Sequence, residues 1–330
     1  RSRRQRQMCI RDRKYTDEAG ELTLEVGEEV PDDVVTIGGR VMFLRNTGKL
    51  CFTSLQDGFT ESSNGERLQV MLSKALVGEQ ALAAWKSDVD LGDFVWVKGF
   101  VARSRRGELS VMATEWKMAS KALRPLPTLH KELGEETRVR RRYADLVARE
   151  EARQMVRVRA AITRAIRTTL DELGFLEIET PILQLVHGGA AARPFNTHLN
   201  AFDIGMSLRI ALELYLKRAM VGGMDRVYEM GRVFRNEGID SNHSAEFTML
   251  EAYMSWGNQF TIAEVIQQII VRAADALGGR QIQTEQGVID LDGQWEWVHV
   301  HPELSRRLGR EITLDPVSYT HLTLPTTPYV

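Results

Sequence analysis

The sequence predicts an α+β protein of two domains: a small β-barrel, followed by a domain in which strands alternate with helices. Five short apolar runs, separated by turn residues, fill residues 34–120. A linker rich in proline and arginine follows, and after it an amphipathic helix precedes a strand–loop–strand segment. A chain of 330 residues is also long enough for about two domains.

The first domain is predicted at residues 14–120. Its five apolar runs are VVTIGGRVMFLR (34–45), KLCFTSLQDG (49–58), RLQVMLS (67–73), DFVWVKGFVARS (93–104) and ELSVMATEWKMA (108–119). Between the third and fourth runs, ALVGEQALAAWKSDV (75–89) has helical spacing. Three strands, a helix and two strands suit a barrel of the OB type. Such barrels bind single-stranded nucleic acid by base stacking, although a plain barrel with buried aromatic residues explains the pattern equally well.

Residues 121–150 are predicted to be a linker. Pro125 and Pro127 prevent a helix from forming in the first part of the linker. The later run RVRRRY (138–143) places four arginines within five residues. A solvated helix face is the commoner meaning of such a run, and an RNA-facing hinge is the alternative.

The second domain is predicted at residues 151–317 and opens with a helix over 151–173. Its apolar positions recur every three or four residues, at Met155, Val158, Ile162, Ile166 and Leu170. Gly174 can end this helix in the left-handed conformation. The next segment, FLEIETPIL (175–183), alternates as a strand, with Pro181 near its end.

The segment at 226–256, RVYEMGRVFRNEGIDSNHSAEFTMLEAYMSW, reads as strand, loop and strand. Alternation puts Phe247, Met249, Glu251 and Tyr253 on one face of its second strand. A carboxylate and a phenol on an otherwise apolar face can hold a cation, the first by charge and the second by a hydrogen bond.

At the turn of the same segment, Arg235, Glu237 and His243 lie close in sequence, and such groups suit a phosphate and a nucleobase. The alternative is a surface hairpin with solvated charges. It fits poorly because Phe234 and Phe247 are interleaved with the charged residues.

Composition narrows the class of protein. The formal net charge of −2 gives the whole molecule no nucleic-acid signature, although a local basic face would suffice. The two cysteines, Cys9 and Cys51, form neither a disulfide framework nor a zinc pattern, so a reducing, cytoplasmic compartment is expected. No run of 18 apolar residues is present, and no signal-peptide pattern opens the chain.

Both ends of the chain are expected to lie outside the fold. Residues 1–13 and 318–330 resemble translated sequencing-adapter sequence and are treated as artefactual tails. The alternative for the first run is a native basic tail that touches RNA.

Four segments resemble one protein family, the class II aminoacyl-tRNA synthetases, and within it the bacterial lysyl enzymes. FRNEG, a short loop, a histidine and EFTMLEAY resemble motif 2. LGFLEIETPIL (173–183) resembles motif 1, with Pro181 as its signature proline. HGGAAARPFNTH (187–198) and LRIALELYLKRAMVGG (208–223) resemble the lysyl subfamily. The resemblance extends from about residue 34 to about residue 317.

The resemblance implies an OB-fold domain that binds the tRNA anticodon, followed by an incomplete class II antiparallel-sheet catalytic domain. It implies ATP-dependent activation of L-lysine to lysyl-adenylate, assisted by Mg²⁺, and transfer of the lysyl group to tRNA(Lys). It also implies a cytoplasmic homodimer that forms through the motif 1 region around Pro181.

The resemblance also assigns residues to each substrate. Arg235 is the catalytic residue, holding the α-phosphate of ATP and the lysine carboxylate. The lysine-binding residues are Gly189, Glu213, Arg235, Glu251 and Tyr253. The ATP-binding residues are Arg235, Glu237, His243 and Phe247, the last stacking on adenine. The anticodon-binding residues are Arg45, Phe52, Gln69 and Glu115, with Phe52 stacking a base.

The chain departs from the family pattern in three places. Leu212 and Ala245 stand where the family usually has proline, in APE and PEF. The glycine-rich motif 3 and the acidic residues that bind magnesium are not found, so no metal site is expected in this chain. The chain as given is therefore expected not to form lysyl-adenylate at a useful rate.

Three alternatives remain open. An aspartyl or asparaginyl enzyme is disfavoured, because Glu251 would repel an acidic substrate. A synthetase-like domain fused to a lysyl-phosphatidylglycerol synthase is consistent with the same residues. So is a paralogue without catalysis that binds RNA through its barrel.

Overall fold

The computed structural model describes residues 14–17, 21–58, 65–126, 133–293 and 295–312. The expected tails at 1–13 and 318–330, and Pro127, lie outside these residues. The chain divides into two compact units between Arg164 and Ala165. Within the described residues, no helix is long and apolar enough to cross a membrane.

The first unit contains a closed five-stranded barrel with the strand order β1-β2-β3-β5-β4. The strands are β1 (Glu29–Thr47), β2 (Leu50–Gln56), β3 (Arg67–Ser73), β4 (Phe94–Arg103) and β5 (Leu109–Ser120). The pairs are antiparallel except for β3 with β5, which is parallel and closes the barrel. The predicted order of three strands, a helical segment and two strands is confirmed.

The helical segment between β3 and β4 consists of two helices, α1 (Lys74–Val77) and α2 (Glu79–Asp88), where one was predicted. The break falls at Gly78, whose φ of 84° is the left-handed region that favours glycine. Helix α2 covers one end of the barrel with Trp85, which is fully buried. The Trp85 ring meets Trp116 edge to face at a centroid distance of 5.1 Å.

The barrel interior is filled by inward-facing aliphatic residues from every strand. The fully enclosed members include Val41, Cys51, Leu55, Val70, Leu72, Val97, Val101 and Val111. Burial raises the pKa of the Cys51 thiol, so it behaves as a small apolar side chain. Strands β4 and β5 approach closely at Gly99, where a Cβ atom would lie 2.0 Å from the Met112 carbonyl oxygen.

The linker region contains two short helices, α3 (Glu135–Arg140) and α4 (Arg142–Ala148). Arginines of the RVRRRY run find partners nearby. Arg140 pairs with Glu136 at 2.9 Å, and Arg142 pairs with the buried Asp145. Arg140 and Arg142 are therefore held in ion pairs within the linker region.

The long helix α5 (Glu150–Glu172) is followed by a three-stranded sheet in the second unit. The sheet order is β11-β10-β6, and the strands are β6 (Leu176–Glu177), β10 (Arg226–Phe234) and β11 (Glu246–Met254). Strands β10 and β11 pair antiparallel without a bulge, from Arg226 opposite Met254 to Phe234 opposite Glu246. The predicted strand, loop and strand over 226–256 is therefore confirmed.

The predicted continuous strand over 175–183 was wrong. Only β6 joins the main sheet, in parallel with β10. The chain leaves that sheet after Ile178, whose N–H donates to the Tyr228 carbonyl, and Pro181 supplies no N–H to continue a ladder. The segment then contributes β7 (Leu183–Gln184) to a second small sheet with β9 (Ile204–Leu208) and β8 (Asn196–Leu199).

Helices cover both faces of the main sheet. Helix α7 (Gln259–Asp275) packs with α5 around Leu170, Phe175 and Tyr228 on one face. Helix α6 (Glu213–Val221) packs on the other face, where Leu216 meets Val227 and Val233. The remaining elements are the exposed hairpin β12 (Gln281–Thr284) with β13 (Gly287–Asp290), and helix α8 (Val300–Leu308).

Candidate active site and barrel groove

A cluster of carboxylates lies where the start of α6 meets strand β11. Glu251 accepts two hydrogen bonds, from the Leu212 backbone N–H to Oε1 at 3.0 Å and from the Tyr253 hydroxyl to Oε2 at 2.8 Å. Glu213, the first residue of α6, pairs with Lys217 one turn later at 2.6 Å. The cluster therefore contains two carboxylates but one ammonium group, an excess of negative charge that suits a cationic ligand.

The Tyr253 hydroxyl is held as a hydrogen-bond donor. Burial raises the pKa of Tyr253 well above its usual value, and the hydrogen bond to Glu251 and the charges of Glu251 and Glu213 add to this shift. The Lys217 ammonium lies 5.9 Å from the centroid of the Tyr253 ring. These contacts bring Glu213, Glu251 and Tyr253 together.

Gly189 lies against the same cluster. Its φ of 85° is in the left-handed region, and a Cβ atom there would lie 2.9 Å from the Cβ of Glu213 and 3.2 Å from that of Ala211. Only glycine fits both the backbone conformation and this close approach. The backbone of the loop at Gly189 is thus beside the first turn of α6.

Arg235 directly follows strand β10 and is half-buried. Its Nε donates to the Ile210 carbonyl at 3.3 Å, and its guanidinium carbon lies 5.2 Å from the centroid of the Phe247 ring. Ile210 stands two residues before Leu212, so one short connector contacts both Arg235 and Glu251. Arg235 and Phe247 are therefore placed together at one edge of the cluster.

Glu237 and His243 lie in the exposed loop between β10 and β11. The loop is ordered by Asp240, which accepts the backbone N–H groups of Asn242 and His243. The His243 ring lies 2.8 Å from the same carboxylate, and the Asn242 N–H first, then His243, hold the pKa of Asp240 below its usual value. Glu237 and His243, two of the four predicted ATP-binding residues, thus lie on a solvated turn, whereas Arg235 is half-buried.

The sequence interpretation missed a buried ion pair behind the cluster. Arg209 and Glu229 are almost fully enclosed and lie 2.6 Å apart. Arg209 also donates to the carbonyls of Arg232 at 2.7 Å and Thr180 at 3.0 Å. Gly231 leaves room for this side chain, since a Cβ there would lie 2.3 Å from Arg209 Nη2.

This pair fixes the connector that holds the cluster. Arg209 directly precedes Ile210, and its carbonyl accepts the N–H of Phe234, next to Arg235. The sequence contained a signal for this buried pair. Arg209 and Glu229 are each the single charged residue of an otherwise apolar stretch, SLRIAL and VYEMG.

A separate groove of about 680 Å³ lies on the barrel. Arg45, Phe52 and Gln69 all line it, with the Arg45 guanidinium 4.8 Å from the centroid of the Phe52 ring. Phe52 is half-buried and does not belong to the core. The charged groups in the lining are Arg45, Arg103, Arg105, Arg106, Glu29 and Glu108, so the groove is basic overall.

Two predicted residues lie elsewhere. Glu115 is exposed on β5, paired with Lys117 at 3.0 Å, and it does not line the groove. Pro181 lies in the turn between β6 and β7, where its carbonyl accepts the Gln184 side-chain amide at 3.2 Å. Across the described ranges, no group of three or more His, Cys, Asp or Glu side chains is arranged to hold a metal ion.

Comparisons with known proteins agree with this arrangement. Residues 35–119 match the OB-fold nucleic acid binding domain, and residues 134–313 match the class II tRNA synthetases of the D, K and N type. The chain therefore belongs to the class II tRNA synthetase family. The predicted fold class, an OB-fold barrel followed by a class II sheet domain, is confirmed.

Within that family, the chain is similar to lysine–tRNA ligases. It is 58% identical to the lysine–tRNA ligase of Kineococcus radiotolerans over 292 residues, which is 88% of this chain and 57% of that protein. It is 57% identical to the lysine–tRNA ligase of Mycobacterium tuberculosis over 284 residues, covering 86% of this chain and 55% of that protein. The chain thus spans about half the length of the curated relatives it matches.

One relative with lower identity is a bifunctional protein. The chain is 42% identical over 296 residues to the lysylphosphatidylglycerol biosynthesis bifunctional protein of Rhodococcus opacus. The match covers 88% of this chain and 26% of that protein.

Proposed function

We propose that this chain provides the lysine site and the anticodon-binding barrel of a lysine–tRNA ligase. In the proposed reaction, the lysine carboxylate attacks the α-phosphate of ATP and pyrophosphate leaves. The lysyl group then passes from the adenylate to the 3′ end of tRNA(Lys), and AMP leaves. Positioning and charge stabilisation are the main work of such a site.

The observation that carries this proposal is Glu251, an acidic residue on a largely apolar strand face. Two donors hold its carboxylate, one on each oxygen, and further lone pairs remain free for an incoming ammonium group. We assign the lysine side-chain ammonium to Glu251 and Tyr253. Glu213 and the Gly189 backbone, which lie side by side, are assigned to the α-amino group.

Arg235 is assigned to the lysine carboxylate and the α-phosphate, where a guanidinium fork fits both. Phe247, against which Arg235 lies, is assigned to the adenine ring, and Glu237 and His243 to ATP contacts from the loop. Mg²⁺ accompanies ATP in this proposal. We assign no protein ligand to this ion.

We assign the basic groove of the barrel to the tRNA anticodon. Arg45 and Phe52 offer a charge and a stacking surface at one place, the combination that single-stranded nucleic acid requires. Gln69 supplies polar contacts in the same groove, and Glu115 remains a weaker candidate. Homodimer formation around Pro181 and a cytoplasmic location also belong to the proposal.

One alternative has a specific observation behind it. The similarity to the bifunctional Rhodococcus opacus protein is consistent with a synthetase-like domain in a larger lipid-modifying protein. The higher identity to the two ligases favours the free enzyme. A paralogue that binds RNA without catalysis would bind tRNA but form no adenylate.

The proposal is tested with Glu251→Gln. Removing one charge from a desolvated pair costs about 2–5 kcal/mol, so lysine binding should weaken strongly while ATP binding stays unchanged. Calorimetry with L-lysine and with ATP measures both affinities. Pyrophosphate exchange, measured in a chimaera with residues 34–312 placed in the Kineococcus radiotolerans ligase, gives the two Michaelis constants.

The matched control is Glu246→Gln, which lies on the same strand and faces solvent beside Arg232. This variant should bind lysine like the parent. An equal loss of lysine and ATP binding in Glu251→Gln would contradict the assignment of Glu251 to the lysine side chain.

A further inference from the structure

The backbone N–H of Leu212 donates to Glu251 Oε1 at 3.0 Å. Leu212 immediately precedes helix α6 and is almost fully buried, with 1% of its surface exposed. N–H groups at a helix start have no partner within the helix, and leaving one buried without a partner is costly. The Glu251 carboxylate is therefore the partner that satisfies this amide.

This hydrogen bond depends on the residue type at position 212. The family usually has proline there, as APE, whereas this chain reads ALE at 211–213. Proline has no backbone N–H, so it cannot donate to Glu251. The replacement that departs from the family pattern thus adds a donor to the carboxylate cluster.

The two donors act on opposite oxygens. Leu212 holds Oε1 and the Tyr253 hydroxyl holds Oε2, so together they fix the plane of the carboxylate. Both donors lie beside the start of α6, since Leu212 is the residue before its first turn. Each oxygen keeps a further lone pair for a ligand.

We propose that the Leu212 backbone amide is a positioning group of the lysine site, which orients Glu251 toward the side-chain ammonium of the substrate. This inference rests on the proposed function, in which Glu251 binds that ammonium. It makes lysine affinity in this chain depend on a backbone donor at position 212.

The test compares Leu212→Pro with Leu212→Ala. Both variants lose the leucine side chain, but only the alanine variant keeps the N–H. Since a hydrogen bond to a charged group is stronger than a neutral one, we expect lysine binding about tenfold weaker in Leu212→Pro than in Leu212→Ala. ATP binding should be the same in both variants.

Folding is controlled separately. Leu212 has a φ of −97°, somewhat outside the range that proline prefers, so each variant is checked by thermal melting. If Leu212→Pro does not fold, Leu212 is replaced by its α-hydroxy acid, which exchanges the N–H for an ester oxygen and keeps the side chain. That protein is compared with the parent and should show the same loss of lysine affinity.

The outcomes separate the two hypotheses. Suppose that lysine affinity differs by less than twofold between Leu212→Pro and Leu212→Ala, while Glu251→Gln still weakens it. The positioning role of Leu212 is then overturned, and the proposed function stands. Unchanged lysine binding in Glu251→Gln, or no lysine binding by the parent chain, overturns the proposed function and this inference with it. The double variant Leu212→Pro/Glu251→Gln should bind lysine no more weakly than Glu251→Gln alone.

Discussion

Phe52 lies between the barrel core and the basic groove, and its position leads to a prediction about tRNA. Because it is half-buried and outside the core, Phe52→Ala should leave the melting temperature of the barrel nearly unchanged. Stacking of a base on an aromatic ring contributes about 1–3 kcal/mol, so binding of tRNA(Lys) should weaken by that amount. Filter binding and a thermal melt measure the two effects.

The control for Phe52→Ala is Leu55→Ala on the same strand. Leu55 is fully buried, so this variant should lose about 2–5 kcal/mol of stability. A Phe52→Ala protein that melts as early as Leu55→Ala, with no specific loss of tRNA binding, would show that Phe52 is a core residue.

Some single residues of the site could be predicted from sequence and others could not. The side-chain period of a strand places Glu251 and Tyr253 on one face, so their shared location followed from alternation. The Leu212 N–H could not be predicted, because a backbone donor carries no sequence signal and its partner is set by tertiary contact. Glu115 was grouped with Phe52 by resemblance alone, and in the structure it pairs with Lys117 away from the groove.

Among the secondary structure elements, the buried pair of Arg209 and Glu229 joins β10 to the connector before α6. Glu229→Gln should lower the free energy of unfolding by about 3 kcal/mol, because it leaves the Arg209 charge buried without its counter-ion. It should also weaken lysine binding, since Arg209 fixes the segment that contacts Arg235 and Glu251. Denaturant unfolding and calorimetry provide the measurements.

An exposed ion pair between β10 and β11 is the comparison for Glu229→Gln. Arg232 and Glu246 lie 3.5 Å apart with both side chains 54% exposed, and such a pair contributes at most about 1 kcal/mol. Glu246→Gln should therefore unfold like the parent. Equal stability of Glu229→Gln and Glu246→Gln would mean that water or another group compensates Arg209.

Whether a strand could be predicted depended on how far away in sequence its partners lie. Three of the five barrel pairs, β1 with β2, β2 with β3 and β4 with β5, join strands that are neighbours in sequence, and β3 was predicted at its observed limits, residues 67–73. The segment at 175–183 alternates just as well, yet it divides between two sheets. Its division depends on Tyr228, which is far away in sequence and takes the last ladder hydrogen bond through Ile178. Local periodicity contains no information about such a partner.

For the whole molecule, the two units differ in how their sheets end. The barrel is closed, so every strand has two neighbours and no ladder edge faces solvent. In the described part of the second unit, β11 pairs on one side with β10 and has no strand on the other. Large apolar side chains near β7, including Leu185 and Val186, are also 65% and 74% exposed.

These differences predict that the barrel folds alone and that the second unit does not remain soluble alone. Residues 14–126, which include the core residues Tyr15 and Leu24, should give a monomer with a cooperative melt. Residues 165–312 should aggregate and bind a hydrophobic dye, because an open strand edge and exposed apolar side chains both promote association. Size-exclusion chromatography and dye fluorescence of the two polypeptides make the comparison. A monodisperse second unit without dye binding would show that neither the β11 edge nor the apolar surface near β7 requires a covering partner.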